Sequence, residues 1–180
     1  MDKWTSLGHE YLFRRPWLTV RKERFRLPNG AVNNEYYILE YPTWVNVIAR
    51  TTDGRFVMVE QYRPGLDGIF TELVAGVAEA GEEPLQAAKR ELLEETGYAG
   101  GKWSLSMVIS ANPGSLNNLS YSFVAEGVEK VSAQQLDTTE DVAVHLIDAD
   151  TLKNWLVNDE IKQSLMAAPL WKYFALNGLL

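Results

Sequence analysis

Three glutamates stand close together in residues 76–98, which read GVAEAGEEPLQAAKRELLEETGY. On a helix of 3.6 residues per turn, Glu95 lies about 40° to one side of Glu91 and Glu94 about 60° to the other. The three carboxylates therefore share one face, although like charges at these spacings mildly destabilise a helix. Such a face is either a solvated surface or a set of hard oxygen ligands for Mg²⁺ or Mn²⁺. Spacing alone leaves both interpretations open.

The elements around these glutamates are predicted from local patterns. Their helix begins near Pro84, whose fixed φ suits a first turn, and stops at Gly97. A hairpin is predicted around the Pro-Asn-Gly turn at 28–30. Further strands are predicted at 43–51, 55–63, 68–76, 103–110, 119–128 and 140–149. Two helices follow, with Pro169 interrupting or kinking the second, so the order predicts an α/β (α+β) layered domain.

The composition is that of an acidic globular chain. A length of 180 residues with 46% hydrophobic residues suits one domain with a real core. The net charge of −7 argues against a nucleic-acid partner, because no basic patch dominates. With no cysteines, disulfides and thiol catalysis are excluded. No apolar run suggests a signal peptide or a membrane span, so we expect a cytoplasmic protein without a membrane partner.

The spacing in residues 76–98 resembles the signature of the Nudix hydrolases. In that pattern a glycine is followed at fixed distances by Glu, Arg-Glu, Glu-Glu and Gly. The seven fixed positions are filled by Gly76, Glu82, Arg90, Glu91, Glu94, Glu95 and Gly97. Only Tyr98 departs, at a packing position where the family usually has an aliphatic residue. Seven matched positions are far more specific than a short glycine motif, and they favour the metal interpretation.

The resemblance implies a Nudix-type α/β/α sandwich on a mixed β-sheet that holds Mg²⁺ (or Mn²⁺) against a diphosphate. It implies four metal ligands: the carboxylates of Glu91, Glu94 and Glu95 and the carbonyl of Ala75. Arg90 and Glu82 would form a supporting ion pair that orients these carboxylates. Gly76 and Gly97 would serve backbone geometry at the loop and at the helix end.

Flanking residues resemble the branch of ADP-ribose pyrophosphatases and nucleoside-diphosphate-sugar hydrolases. The similar segments are EQYRPG at 60–65, TELVAG at 71–76, Pro113, and EDVAVHLIDADTL at 140–152. Val74 stands where the branch usually has proline, and NPGSLNN at 112–118 departs from the commoner acidic loop. The branch implies a small nucleoside diphosphate derivative as substrate, with ADP-ribose or a nucleotide sugar ahead of others. Its products would be a nucleoside monophosphate and a sugar phosphate.

Two charged residues on the predicted strands are candidates for substrate binding. Arg63 could bind a phosphate of the substrate, because a guanidinium binds phosphate oxygens in a bidentate manner. It could also form only a surface ion pair. Glu72 could contact the nucleotide or ribose, or only pair with Arg63. Asn117 and Asn118 could recognise a sugar hydroxyl or a base.

The catalytic candidates are acidic. Glu140, by resemblance on a catalytic loop, is the first candidate for a general base or an additional metal ligand, and Asp141 is the second. Glu94 and Glu95 of the signature could also take the proton of the attacking water. The acids near 140 could equally be an ordinary solvated loop.

Two further predictions concern organisation. Residues 1–42 are predicted as a β-rich arm, rich in aromatics, that could contact a second subunit in a homodimer, and residues 43–180 as the Nudix hydrolase domain. Two other functions stay open: hydrolysis of another nucleotide, such as a modified nucleoside triphosphate or a dinucleotide, and nucleotide-sugar binding without catalysis.

Overall fold

The computed structural model describes all residues from Met1 to Leu180 and divides into two compact units. The first unit contains Met1–Pro42 together with Ser110–Leu119. The second contains Thr43–Ile109 and Ser120–Leu180. The segment Ser110–Leu119 thus clusters with the N-terminal arm, although the division predicted from sequence left it in the later domain. No helix is both long and apolar enough to cross a membrane.

The first unit contains a three-stranded antiparallel sheet in the order β1-β2-β3. Its strands are β1 (Thr5–Arg15), β2 (Leu18–Arg26) and β3 (Val32–Glu40). The predicted turn joins β2 to β3, where Gly30 has a φ of 85° and donates its N–H to the Leu27 carbonyl. The predicted hairpin is present as the antiparallel pair β2–β3, and β1, which was not predicted, adds a third strand. Its side chains are almost all exposed, so it lacks the buried alternation that reveals a strand.

The second unit is built on a six-stranded sheet in the order β7-β8-β4-β6-β5-β9. Its strands are β4 (Trp44–Thr51), β5 (Phe56–Arg63), β6 (Gly68–Val77), β7 (Tyr98–Ile109), β8 (Ser120–Lys130) and β9 (Ala143–Ile147). The sheet is mixed, because β4 and β8 run parallel and the other neighbours antiparallel. Strand β7 begins at Tyr98, five residues before the predicted start. Gly100 and Gly101, which disfavour strand on propensity, lie inside it.

Helices cover both faces of this sheet. They are α1 (Pro84–Thr96), α2 (Ala149–Val157) and α3 (Ser164–Leu176). One core cluster joins α1 to the sheet through residues such as Val47, Val74 and Leu92. A second cluster joins α2 and α3 to the opposite face through Phe56 and Phe174, among others. The predicted α/β/α sandwich on a mixed sheet is confirmed.

Proline 169 lies within α3 and is accommodated by a side chain from the sheet. Proline has no N–H, so the carbonyl four residues earlier in a helix loses its partner. That carbonyl belongs to Leu165, and it accepts a hydrogen bond of 2.9 Å from Asn46 Nδ2. Asn46 is fully buried on β4. The buried amide therefore replaces the missing backbone donor and lets the helix continue.

Candidate active site

The signature helix α1 has a proline at its start and a glycine at its end. Gly97 adopts a left-handed φ of 71° and donates its N–H to the Leu93 carbonyl at 2.7 Å. A β-carbon at this position would overlap the carbonyl oxygen of Ser132. Gly97 therefore serves two purposes: it ends the helix, and it lets a later loop approach the helix end closely.

Gly76, at the end of β6, makes room for the first glutamate of the helix. A β-carbon at Gly76 would collide with the Glu91 carboxylate, which lies directly against the strand. Burial raises the pKa of Glu91, and this effect exceeds the opposing influence of its ion pair with Arg90. The carboxylate is thus pressed between helix and strand, where a cation would stabilise its charged form.

Arg90 is the centre of the ionic contacts at this site. Its guanidinium contacts Glu82 at 3.0 and 3.1 Å, and Nη1 lies 2.9 Å from both Glu91 and Glu94. Its Nη2 also donates to the Val77 carbonyl at 3.0 Å. The hydrogen bond from Arg90 lowers the pKa of Glu82, which accepts a further bond from a loop N–H. Arg90 therefore fixes one oxygen of Glu91 and one of Glu94, and it ties the helix to the end of β6.

Glu95 is the most deeply buried of the three glutamates, with 6% of its surface exposed. Its Oε2 has no hydrogen-bond partner. Burial first, and then the charge of Glu91, raise the pKa of Glu95 to about 8, although the Ala75 backbone acts in the opposite direction. A buried carboxylate oxygen without a donor is costly unless a positive charge compensates it.

The side chains present are of the types that bind a divalent cation, although they are not arranged as a complete metal-binding site. No three acidic, histidine or cysteine side chains are arranged as a complete metal cage. The available donors are carboxylate oxygens of Glu91, Glu94 and Glu95, the hard ligands that Mg²⁺ and Mn²⁺ prefer. The unpartnered Oε2 of Glu95 is the observation that favours a cation here. Mg²⁺ commonly takes few protein ligands and completes its shell with water and substrate phosphate.

Glu140 lies in the loop that connects β8 to β9. Its Oε2 accepts the N–H of Asp137 at 2.9 Å, and its own N–H donates to the Asp137 carbonyl at 3.0 Å. The side chain is exposed. The negative charge of Glu140 contributes to the raised pKa values of both Glu91 and Glu95. The fold thus places the charge of Glu140 within electrostatic range of Glu91 and Glu95.

Arg63 and Glu72 form an ion pair across the antiparallel strands β5 and β6. Glu72 is 5% exposed, and its Oε2 accepts Nη2 of Arg63 at 2.6 Å and Nε at 3.0 Å. Gln61 donates a third, longer bond of 3.3 Å to the same oxygen. Arg63 remains partly exposed, and its charge acts on Glu95 by lowering the pKa of that carboxyl. The buried Glu72 therefore holds a partly exposed guanidinium whose charge acts on Glu95.

The two predicted asparagines belong to the first unit and bind backbone there. Asn117 Oδ1 accepts the N–H of Tyr41 at 3.0 Å. Asn118 Nδ2 donates to the Pro42 carbonyl at 2.8 Å. Both amides therefore hold the Ser110–Leu119 segment to the end of β3. Their predicted recognition of a sugar or base stays a prediction.

Sequence reasoning missed several residues that contact the signature helix, and Gln134 is one of them. The Nε2 of Gln134 donates to the carbonyls of Glu95 and Val142. Gln134 lies in a polar loop, AQQLDTTED, whose composition gives no spacing or motif signal. Only the folded path of the β8–β9 loop shows that this amide, and not its neighbour Gln135, points at the helix.

Comparisons with known proteins identify the family. The model of the NUDIX domain matches residues 40–167, and the model described as nucleoside diphosphate sugar hydrolase N-terminal domain matches residues 4–39. A crystal structure of an ADP compounds hydrolase superposes with a TM-score of 0.85 over 100% of this chain and 98% of that one. Its sequence is only 19% identical, so this likeness shows the shared fold alone.

Curated relatives of this chain carry different names. A Bacillus subtilis protein named ADP-ribose pyrophosphatase is 34% identical over 140 residues, which cover 77% of this chain and 75% of that protein. A Bacillus methanolicus protein named methanol dehydrogenase activator is 36% identical over 144 residues, covering 79% and 76%. An ADP-ribose pyrophosphatase of Mycobacterium tuberculosis is 25% identical over 176 residues, covering 97% and 81%. With the NUDIX match spanning most of its length, this chain belongs to the Nudix hydrolase family.

Proposed function

We propose that this protein hydrolyses the pyrophosphate bond of ADP-ribose or of a related nucleoside diphosphate sugar, with Mg²⁺ as its metal and Mn²⁺ as the alternative. The observation that carries the proposal is the carboxylate cluster of α1, in which Glu95 is buried with an unpartnered oxygen and is acted on by the charges of Arg63 and Glu140. Relatives named ADP-ribose pyrophosphatase and the match to the nucleoside diphosphate sugar hydrolase N-terminal domain support the substrate class.

The metal would be held by carboxylate oxygens of Glu91, Glu94 and Glu95, with the Ala75 carbonyl as a further ligand. A bound divalent ion supplies charge neutralisation of the diphosphate and acidifies water. Acidic side chains alone would repel the anionic substrate, so this cluster suits the reaction only with a cation present. Nudix hydrolases generally use divalent metal ions, which agrees with this donor set.

The protein's own groups divide the remaining tasks. Arg63, fixed by Glu72, binds phosphate oxygens through the part of its guanidinium that stays exposed. Glu140 accepts a proton from the attacking water, whose oxygen forms a bond to phosphorus as the P–O–P bridge breaks. With ADP-ribose the products are AMP and ribose 5-phosphate. Glu94 and Glu95 are the alternative proton acceptors.

A substrate panel with Mg²⁺ tests the proposal. It contains ADP-ribose, ADP-glucose, GDP-mannose, UDP-glucose, a dinucleotide and a modified nucleoside triphosphate, with products identified as nucleoside monophosphate, sugar phosphate or pyrophosphate. We expect a diphosphate sugar, ADP-ribose first, to have the highest kcat/KM. Preference for a triphosphate would replace the proposed substrate class, and tight binding without products would indicate a binding module.

We also propose a homodimer that uses the three-stranded sheet of the first unit. Phe13 and Trp17 are 56% and 73% exposed, and other large apolar side chains along β1 to β3 are exposed too. Contiguous exposed apolar surface marks interaction sites. Sedimentation should give twice the chain mass, and replacing both residues with serine should give a monomer. A monomeric wild type would contradict the proposal.

A cytoplasmic location stays a prediction from composition.

A further inference from the structure

The last turn of α1 is capped by one continuous loop. A helix leaves its final four carbonyls without intrahelical partners. Here the carbonyl of Leu93 is bound by Gly97 N–H, and the next three are bound by residues that follow β8 or end it. The donors to Glu94, Glu95 and Thr96 are the Gln135 N–H, the Gln134 Nε2 and the Lys130 Nζ, at 2.8, 2.7 and 2.9 Å. The loop that carries Glu140 is therefore built onto the end of the helix that carries the signature glutamates.

Gln134 connects this helix to the far end of the same loop. Its amide nitrogen has two hydrogens, and they go to the Glu95 carbonyl at 2.7 Å and to the Val142 carbonyl at 2.9 Å. Val142 lies immediately before β9 and two residues after Glu140. One side chain thus fixes the distance between the backbone of Glu95 and the base of the Glu140 segment.

The Glu140 segment has few other connections. Its own hydrogen bonds are local, between Glu140 and Asp137, and they fix its shape but not its place beside the helix. Residues 137–141 are exposed. Leu136 and Val142 pack on the core and hold the two ends of the segment by apolar contact. Apolar contact keeps the ends on the core but, being non-directional, does not orient the segment. Besides the Gln135 N–H bond to the Glu94 carbonyl, the directional link is the pair of hydrogen bonds donated by the Gln134 amide, and only this pair reaches the far end of the segment.

We propose that Gln134 is a positioning residue that sets Glu140 against the signature carboxylates through its two backbone hydrogen bonds. The proposal rests on the proposed function in one respect, the role of Glu140 as proton acceptor. Its neighbour Gln135 provides a matched control, because Gln135 binds the helix through its backbone N–H and its side chain is exposed. Truncating that side chain leaves the hydrogen bond in place.

The first experiment measures amide hydrogen exchange by NMR in wild type, Gln134→Ala, Gln134→Glu and Gln135→Ala. Gln134→Glu keeps the side-chain length but has no donor. We expect the amide of Gln135, which is bonded to the Glu94 carbonyl and therefore reports the attachment of the loop to the helix, to exchange about tenfold faster in both Gln134 variants and with wild-type protection in Gln135→Ala. Wild-type exchange in Gln134→Glu would overturn the proposal. Thermal unfolding confirms that each variant is folded at the temperature used.

The second experiment is kinetic. Gln134→Ala should lower kcat about tenfold and leave KM within about twofold, because the Arg63 and Glu72 pair is untouched. In the Glu140→Gln background the same change should have almost no further effect, since residues that act through one another are non-additive. Full additivity, or a loss seen only in KM, would overturn the proposal.

The two experiments separate this inference from the proposed function. A wild-type protein that hydrolyses no member of the substrate panel would refute the function. The exchange comparison of Gln134→Glu with Gln135→Ala would still decide whether Gln134 positions the loop. Active wild-type protein with unchanged exchange and unchanged kcat in the Gln134 variants would refute the inference and leave the function standing.

Discussion

The two faces of the six-stranded sheet bury very different groups. Under α2 and α3 the core is apolar, and Phe56 and Phe174 stack there with ring centroids 5.6 Å apart. Under α1 the core is apolar too, and the helix contributes Ala87, Ala88 and Leu92 to it, but the rim of the same helix carries a buried carboxyl group, Glu95. Both faces gain stability from apolar burial, while only the α1 face also buries an acidic group, whose burial costs stability.

This difference suggests that the α3 face contributes mainly to stability and the α1 face mainly to chemistry. Most of the α3 face can be altered without changing the acidic site, because the carboxylates of α1 and the guanidinium of Arg63 are not part of its core cluster, and only Ala75 of the proposed ligands packs against it. The α1 face can lose a charge without losing the fold, because Glu95 has an oxygen that no protein group satisfies. Substitutions on the α3 face should therefore change mainly stability, and substitutions on the α1 face should change mainly turnover.

The largest effect is expected for Glu95→Gln. Turnover of ADP-ribose should fall by about 10³-fold, because the buried carboxylate is lost from the metal-binding and proton-accepting set. Stability in metal-free buffer should be unchanged or slightly higher, since burial raises the pKa of Glu95 to about 8 and folding must keep that carboxyl protonated, whereas a glutamine is neutral in both states. Glu83→Gln, an exposed glutamate before the same helix, is the control and should keep full turnover. Normal turnover of Glu95→Gln would exclude its assigned role.

Phe174→Ala should do the opposite. Removing a fully buried ring from the α3 face should lower the free energy of unfolding by about 3 kcal/mol or more, measured by urea denaturation. The folded fraction should keep kcat within about twofold. Trp171→Ala, on the same helix but 40% exposed, should cost much less. A collapse of kcat in folded Phe174→Ala would show that the two faces are coupled.

Gly97→Ala should affect both quantities, since this glycine joins the α1 face to the Glu140 loop. A left-handed φ and overlap with the Ser132 carbonyl should together lower the free energy of unfolding by about 2 kcal/mol. Turnover should also fall, because the loop must move away. Gly100→Ala has a similar φ of 80° and open space around its β-carbon, so it should show only the conformational cost of about 1 kcal/mol. Equal behaviour of the two variants would contradict the overlap.

The smallest effect concerns the buried tyrosine hydroxyl of the α3 face. Burial first, and then the hydrogen bond to Glu126, raise the pKa of Tyr173 to about 12 from 10, with Arg50 opposing. A raised folded pKa gives stability that is complete below pH 10 and is lost as the pH rises towards 12. The free energy of unfolding should therefore fall between pH 10 and 12 by on the order of 1 kcal/mol more in wild type than in Tyr173→Phe. Parallel pH profiles would exclude this linkage.

The sequence predicted those helices and strands whose residues follow local rules of capping and hydrophobic patterning. Pro84 and Gly97 delimit α1 as expected, and the apolar runs of β4 and β5 are strands that are buried on both faces. Strand β1 was missed because its side chains are exposed along almost its whole length. Strand β7 was begun too late because Gly100 and Gly101 weaken the local signal.

The site was predictable in its residue types but not in its burial. A helical wheel places Glu91, Glu94 and Glu95 on one face, yet only Glu95 is almost completely buried, because β6 and the β8–β9 loop close over that side. The contacts from Arg90 to two of these glutamates depend on the rotamer of its side chain, which no spacing rule supplies. The same holds for Gln134, whose partners are backbone carbonyls that carry no sequence signal.

The most direct test of the central claim is turnover of ADP-ribose by chelator-treated protein before and after Mg²⁺ is added back, with the melting temperature recorded in both states. The account predicts no hydrolysis in chelator, full recovery with Mg²⁺, and a higher melting temperature with Mg²⁺ for wild type but not for Glu95→Gln. Hydrolysis that continues undiminished in chelator would contradict it.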